Sequence, residues 1–214
     1  MNFRDFRGIE KVKIAVLKTD TKEELTYDTP IDFAGIESLG QELEESTGTR
    51  FYDNQAAIVT DAEGADKYKI VTSVLEGKVR ATVEGRKYDE ENNAFFGTPK
   101  EKPYIAIGFI AKDTNGDKWF YWVYKNKITG GGETHNTEDD GTETTNLEWE
   151  ASSIYTQHTF TKAGNKPLKY YCIKESEKVT EEKFFKTVFN PDTVEEAMVK
   201  EKKGVKTEKE DKEK

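Results

Sequence analysis

The sequence lacks most of the features that carry reaction chemistry or membrane attachment. Its 214 residues include a single cysteine, Cys172, which excludes an internal disulfide and a zinc site built on several cysteines. No segment approaches the ~18 consecutive apolar residues of a membrane-spanning helix. The N-terminus MNFRDFRGIEKV carries charges where a signal peptide has an apolar run. We therefore expect a soluble protein that is kept inside a cell and does not associate with membranes.

Positively charged residues are outnumbered, because the chain has 33 Lys and Arg against 42 Asp and Glu, which gives a formal net charge of −9. Clustered Lys and Arg are what nucleic-acid phosphates require, so this balance disfavours tight wrapping of DNA or RNA. Residues 200–214 are a Lys/Glu run with one valine. Such a run cannot bury enough apolar surface to offset chain entropy, so it is predicted to be a disordered tail or a solvated helix, with an interaction tail as the alternative.

Short β-type segments dominate the first part of the chain. Residues 11–18 (KVKIAVLK), 49–60 (TRFYDNQAAIVT) and 66–75 (DKYKIVTSVL) are rich in β-branched and aromatic side chains, and each is predicted to form one strand. A helix is predicted at about residues 76–84, where apolar residues recur near a 3.6-residue period. Gly85 can supply its left-handed C-terminal cap.

The clearest element is a β-hairpin within residues 103–127, PYIAIGFIAKDTNGDKWFYWVYKNK, turning at Asn115-Gly116. Its second strand does not alternate polar and apolar side chains, so both of its faces should be covered. One cover is the core, and the other is a helix, a second sheet or another subunit. The two faces carry Trp119, Tyr121 and Val123, and Phe120, Trp122 and Tyr124.

A long polar segment follows, with no aliphatic or aromatic side chain from Thr129 to Asn146. Loops longer than about 12 to 15 residues are uncommon inside a domain. Residues 129–146 are therefore predicted to be a long protruding loop, with Gly130–Gly132 as a hinge. The next strand alternates, so Leu147, Trp149 and Ala151 should point inward while the glutamates between them form a wet, acidic face.

No constellation of side chains supports catalysis. His135 lies near acidic residues of the loop, but no ligand spacing supports a metal site, and a solvated loop is the favoured interpretation. His158 fits a packed strand position, and Cys172 has no neighbouring base in the sequence. We expect no enzymatic activity, no metal and no cofactor. An alternative function is a carbohydrate-binding β-sandwich module that stacks sugar rings on the aromatic strand 119–124.

Several segments together resemble the major tail proteins, or tail tube proteins, of long, non-contractile-tailed phages (siphoviruses) of Gram-positive hosts. The similarity spans roughly residues 6–160 and rests on the order and type of its segments. These segments are FRGIEKVKIAVLKTD, the Pro30 to Gly35 stretch, TRFYDN, EGKVRATVEGRKYDE, PYIAIGFIAKDTNGDKWFYWVYKNK and ETHNTEDDGTETTNLEWEA.

The resemblance implies a mainly β fold, an antiparallel β-sandwich or barrel-like tail-tube domain with one flanking α-helix and a long protruding loop. This domain would span residues 1–165, followed by a C-terminal extension at 166–199 and the charged tail at 200–214. The resemblance also implies a structural virion protein that forms hexameric rings, stacked into a tail tube through which DNA passes during genome ejection without specific binding. Its expected partners are copies of itself and other tail proteins, such as the tape measure and tail terminator proteins. Its expected location is the phage tail of the virion, and the host cytoplasm during assembly.

The resemblance also suggests roles for particular residues. Contacts between subunits are expected at Phe51, Tyr52, Phe120, Trp122 and Tyr124. Contacts between rings are expected from the loop residues Gly130, Gly131, Gly132, Glu133, His135, Glu138, Asp139, Asp140 and Glu143. Glu148 and Glu150 are candidates for the lumen of the tube, where acids would repel phosphates, with simple solubility as the alternative role.

Overall fold

A computed structural model describes residues 4–135 and 146–193 of the protein, and these are mostly antiparallel β structure. The predicted mainly β, antiparallel fold with a short helix is confirmed. The strands are β1 (Phe6–Asp20), β2 (Leu25–Tyr27), β3 (Ile31–Asp32), β4 (Ile36–Glu42), β5 (Glu45–Tyr52), β6 (Gln55–Glu63), β7 (Asp66–Thr72), β8 (Tyr88–Asp89), β9 (Ala94–Phe95), β10 (Ile105–Asp113), β11 (Lys118–Gly130), β12 (Leu147–Ser153) and β13 (Tyr170–Lys174). The helices are α1 (Gly77–Glu84) and α2 (Glu181–Lys186), and a 3₁₀ turn spans Thr161–Ala163.

The chain forms two compact units that interleave along the sequence. The first contains the residues up to Phe33, Ile105–Tyr124 and the residues from Tyr155 onward. The second contains Ala34–Tyr104 and Lys125–Ile154, so β11 contributes residues to both units. The predicted boundary near residue 165, between one domain and an extension, does not coincide with a boundary between these two units. The charged tail at 200–214 lies outside the described residues.

The first unit is a sheet in the order β2-β1-β10-β11, and β13 pairs with the first half of β11. Strand β1 pairs antiparallel with β10, and their register shifts between Glu10 and Lys13. Lys11 has a φ of 47° at this shift. An extra residue in one strand of an antiparallel pair bends the strand, so β1 is a bent strand in which the predicted segment 11–18 is the well-buried part.

The predicted hairpin is present and joins β10 to β11. Gly116 has a φ of 85°, and it is the residue of the turn in the left-handed region. The Asp113 carboxylate accepts hydrogen bonds from the backbone N–H groups of Asn115 (2.9 Å) and Asp117 (3.0 Å). An aspartate that bonds its own backbone in this way mimics a backbone turn, so Asp113 and Gly116 together set the reversal.

The core of the first unit is an aromatic cluster that includes the C-terminal segment. Phe120, Trp122 and Tyr124 are completely buried, and so is Phe184 of α2. The ring centroids of Phe120 and Phe184 lie 5.2 Å apart. Phe185 and Phe189 belong to the same cluster. The residues that the sequence suggested were an extension therefore cover the aromatic strand, and α2 is a second helix that sequence analysis did not predict.

The second unit is built on a sheet in which β12 and β7 are central and β4 is at one edge. Buried and exposed residues alternate along β12 and β7, as a sheet with one solvated face requires. Leu147, Trp149 and Ala151 are buried, as predicted. The indole N–H of Trp149 donates to Thr72 Oγ1 at 3.1 Å, which satisfies a buried polar group inside this unit.

Helix α1 belongs to the second unit and lies at the predicted position. Gly85 ends the helix with a φ of 63°. A Cβ at Gly85 would lie 2.1 Å from the carbonyl oxygen of Glu101, so both the conformation and the space require glycine there. Glu84, in the last turn, is buried and forms ion pairs with three cations. The distances from its carboxylate oxygens to the side-chain nitrogens are 3.0 Å for Arg80, 2.8 Å for Arg86 and 3.2 Å for Lys100.

We expect Glu84→Gln to lower the free energy of unfolding by about 1 to 3 kcal/mol at pH 7, because three cations lose their carboxylate. Burial on its own would raise the pKa of Glu84, but hydrogen bonds from Arg80 and Lys100 outweigh it and hold the pKa below its ordinary value of 4.5. A carboxylate with a lowered pKa stabilises the fold above its unfolded-state pKa, and this contribution is lost as the pH falls through the folded-state pKa.

The difference in stability between the wild type and Glu84→Gln should therefore narrow as the pH falls below about 4.5. Urea denaturation across pH 3 to 7 measures it. The control is Glu90→Gln, which changes an exposed carboxylate paired with Lys78 and should alter stability by less than about 0.5 kcal/mol. An equal loss in the two variants at pH 7 would contradict a special role for Glu84.

Residues 49–60, predicted as one strand, are instead parts of two strands. Strands β5 and β6 pair from Glu45 opposite Glu63 to Tyr52 opposite Gln55. Asp53 and Asn54 at the turn have φ values of 51° and 63°. Two consecutive left-handed residues are typical of the tight turn that suits the twist of a hairpin, and Asp and Asn tolerate this conformation better than most residues. Residues 45–63 form a β-hairpin, which we call the arm.

Candidate functional site

The arm is exposed along its whole length. Every residue of β5 and every residue of β6 is solvent-exposed. Its exposed residues include large hydrophobic side chains, which are Phe51 (66%), Val59 (63%), Tyr52 (55%) and Ile58 (45%). A protein rarely leaves a contiguous group of such residues in water, and groups of this kind usually mark interaction sites. The arm is therefore the strongest candidate interaction element in the described structure.

The register of the hairpin places hydrophobic residues on both faces near the tip. Thr49 lies opposite Val59, and Phe51 follows on the same face. Arg50 lies opposite Ile58, and Tyr52 follows on the other face. Acidic residues are confined to the base of the arm and to its turn, where they are Glu45, Asp61 and Glu63, and Asp53. A partner that buries both faces of the tip would gain more apolar contact than one that covers a single face.

A second candidate surface lies on the solvated face of the sheet in the second unit. It is an open trough of about 660 Å³ that runs across β4, β7, β12 and the end of β11. Small residues leave open space above the sheet in the trough, since even a Cβ added at Gly40 would meet no atom within 4 Å. The residues that line the trough include Ser38, Gly40, Val71, Thr129, Glu148 and Glu150. The trough is open and lies across four strands, so it can accept an extended segment of chain.

Charges along the trough are mixed rather than acidic. Lys69 forms an ion pair with Glu42 at 2.7 Å, and the nearby charge of Glu150 also raises the pKa of Lys69. Lys67 and Lys69 are exposed on the same face as Glu148 and Glu150. The exposure of Glu148 and Glu150 confirms that the outer face of β12 is wet and acidic, while Lys67 and Lys69 of β7 make the charge of the whole sheet face mixed. The assignment of Glu148 and Glu150 to a lumen stays a prediction.

The side chains of Phe120, Trp122 and Tyr124, expected at a subunit contact, lie inside the first unit. The indole N–H of Trp122 donates to the carbonyl oxygen of Phe184 at 3.2 Å, and the Tyr124 hydroxyl donates to that of Phe189 at 3.1 Å. Each of the three predicted side chains is fully buried, so none can contact a neighbouring subunit or stack on a sugar ring. The sequence correctly indicated that the face of Phe120, Trp122 and Tyr124 is covered, and this cover comes from the same chain, whereas Trp119 and Tyr121 on the other face are only half-buried.

The start of the long loop is anchored to its own unit, which contradicts the predicted glycine hinge. Gly130 and Gly131 have φ values of 101° and 70°. A Cβ at Gly131 would lie 2.1 Å from the Trp149 ring, so this glycine permits close packing. The Arg80 guanidinium donates to the carbonyl oxygen of Gly131 at 3.2 Å and pairs with Glu133.

The remaining loop residues divide between the described and undescribed parts of the chain. Gly132 is described, and so is His135, which is highly exposed and lies 3.5 Å from Glu133. The predicted ring-contact residues Glu138, Asp139, Asp140 and Glu143 lie outside the described residues.

Two of the side chains considered for chemistry, His158 and Cys172, lie in the first unit. His158 packs edge-on against Phe160, with centroids 4.8 Å apart. Cys172 is half-buried, and burial raises the pKa of its thiol above the ordinary value. Across residues 4–135 and 146–193, no three or more His, Cys, Asp or Glu side chains are grouped so that they could hold a metal ion. No helix in that part of the chain is long and apolar enough to span a membrane.

No protein-family model matches the sequence, and no curated protein is significantly similar to it. Any functional assignment therefore rests on the two surfaces and on the sequence resemblance. Phe51 and Tyr52, expected at a subunit contact, lie near the tip of the arm and stay predictions. The arm itself was missed, although the signal was present: Asp53-Asn54 interrupts a segment whose two halves both favour strands.

Proposed function

We propose that the protein is a self-assembling structural subunit, the major tail protein of a phage with a long, non-contractile tail. In this proposal, copies associate into rings and the rings stack into a tube that carries the genome. The observation that carries the proposal is the arm, because an exposed hairpin with hydrophobic residues on both faces of its tip needs a partner surface.

A second copy of the same chain is the partner that best fits this observation. The arm extends β4 and β7 beyond the body of the second unit, so it reaches outward from the subunit that carries it. An eight-residue strand spans about 26 Å at 3.3 Å per residue, which is comparable to the width of a small domain. A repeated subunit with such an arm can bind its neighbour and be bound in turn, which produces an extended assembly when the contact does not close.

The overall charge is compatible with a conduit for DNA. The net charge of −9 disfavours stable binding of phosphates, so a duplex could move past the protein without being retained.

The purified full-length protein is expected to form rings or tubes with a central hole in negative-stain electron microscopy, and to sediment as species larger than a monomer. Concentration should favour the assemblies, since association follows mass action. A monomer at every concentration up to the solubility limit would contradict the proposed function. A monomer that also binds glycans on an array would favour the carbohydrate-binding alternative.

A further inference from the structure

We propose that the tip of the arm of one copy lies in the trough of a second copy, with Arg50 of the arm facing Glu148 of the trough. This inference rests on the proposed function, because it requires that copies of the chain associate. It adds the receiving surface and the pair of charges that sets the docking position. Both surfaces belong to the second unit of the chain.

The arm cannot readily reach the trough of its own subunit. Strands β4 and β7 form one side of the trough and continue into the two strands of the arm. At this junction the Gly64 N–H donates a hydrogen bond to the carbonyl oxygen of Glu44 at 2.7 Å, so the two segments stay paired. A paired hairpin is stiff, and its tip stands about 26 Å from its base. Folding back would require a reversal at residues 43–44 and 64–65 that breaks this continuity. The trough available to the tip is that of another molecule.

The shape and surface of the trough suit the tip. The trough is bordered by small residues of β4 and β11, among them Ser38, Gly40 and Gly130. Low side chains leave room for a second layer of extended chain to lie against the sheet face. Val71 shares the solvated sheet face with Glu148 and supplies apolar surface in the trough, where it would cover one apolar face of the tip, that of Tyr52 and Ile58. Burying these side chains removes apolar area from water, which favours docking.

Charge determines the position of the tip in the trough. Arg50 and Ile58 are opposite each other, so Arg50 shares the face of the arm that carries Tyr52. Within the described residues, Arg50 forms no ion pair. Glu148 lies opposite Val71 rather than opposite a lysine, and the described residues hold no cation paired with it. The docking face of the arm thus carries the positive charge of Arg50 and the trough carries the negative charge of Glu148, and neither side chain has an ion-pair partner within the described residues.

Charge reversal tests this pairing. Arg50→Glu and Glu148→Lys should each raise the protein concentration needed for assembly at least tenfold, because each places like charges together. Combining both reversals in one chain should restore assembly to within about threefold of the wild type, because the pair is complementary again. The control is Lys67→Glu, which reverses an exposed charge on the same sheet face outside the trough and should have little effect. Circular dichroism would establish that each variant is folded.

Cross-linking provides an independent measurement. In a Cys172→Ser background, Arg50→Cys and Glu148→Cys chains are mixed and oxidised. Disulfide-linked heterodimers are expected, whereas a mixture of Arg50→Cys and Lys67→Cys chains should give few. If the wild type assembles but assembly is unchanged by Arg50→Glu and no linked heterodimer forms, the docking proposal is overturned while the proposed function stands. If the wild type never assembles, both fall.

Discussion

Replacing Phe184 by Ala is expected to lower the free energy of unfolding by about 3 to 5 kcal/mol, the usual range for removing a buried phenylalanine. Phe184 is completely buried and packs against Phe120, Phe185 and Phe189 within the first unit. Its ring also lies near Trp122, whose indole N–H is bonded to its backbone. Since a small domain is stable by only about 5 to 15 kcal/mol, the loss should be visible as a large shift in the urea midpoint.

Phe51→Ala provides the matched control for Phe184→Ala, because it removes the same side chain from an exposed position on the arm. Its stability should remain within about 0.5 kcal/mol of the wild type, while its assembly should weaken. If Phe184→Ala were as stable as the wild type, residues 166–193 would be an appendage, as the sequence first suggested, and the buried aromatic cluster would be incorrect.

Replacing residues 46–62 by a two-residue Asn-Gly turn is expected to abolish assembly while leaving the fold unchanged. Every residue of β5 and β6 is exposed, so removing the arm takes no residue out of the core. Shortening the connection between β4 and β7 also changes the entropy of loop closure only slowly with length. Thermal melting should stay within a few degrees of the wild type, and sedimentation should show a monomer at concentrations where the wild type forms assemblies.

A less drastic variant distinguishes the contribution of the aromatic tip to assembly from that of the whole arm. Phe51→Ser combined with Tyr52→Ser keeps the hairpin and its turn but removes the exposed aromatic rings, and it should weaken assembly nearly as much as the deletion. Tubes of normal length from the deletion variant would show that the arm isn't the element that joins subunits. A large drop in melting temperature would show that the arm supports the fold of the second unit.

The two kinds of aromatic residue in this chain illustrate what local sequence can indicate. The run at residues 119–124 and the pair Phe51-Tyr52 are both dense in aromatic side chains, and both were predicted to contact a neighbour. Phe120, Trp122 and Tyr124 of the run are buried in a cluster with residues of α2, which lies about 60 residues later in the chain, whereas the pair stays exposed. Local composition indicates that a segment needs a cover, but the source of that cover is a long-range property.

Turns and glycines likewise divide into those set by local residue type and those set by contacts with distant residues. Gly116 and Gly85 were predicted from position and residue type, and both occupy left-handed conformations, because this need is local. Asp53-Asn54 carries a weaker local signal than Asn-Gly, and the apolar residues on either side favour a continuous strand. The pairing of β5 with β6 decides that the chain reverses there. Gly131 was expected to be a hinge, but the approach of the Trp149 ring from the next strand makes it a packing position.

By itself, the sequence determined the mainly β class, helix α1 with its glycine cap, the β10–β11 hairpin and the inward face of β12. These depend on periodicity and on the conformational preferences of single residues, which act over a few positions. Only the tertiary structure decided that the C-terminal aromatic residues complete the first unit, that residues 45–63 stand out as an arm, and that lysines of β7 share a sheet face with the glutamates of β12. Each of these depends on residues distant in sequence meeting across strands or in a shared core, and pairing energies between distant segments leave no periodic trace in either segment alone.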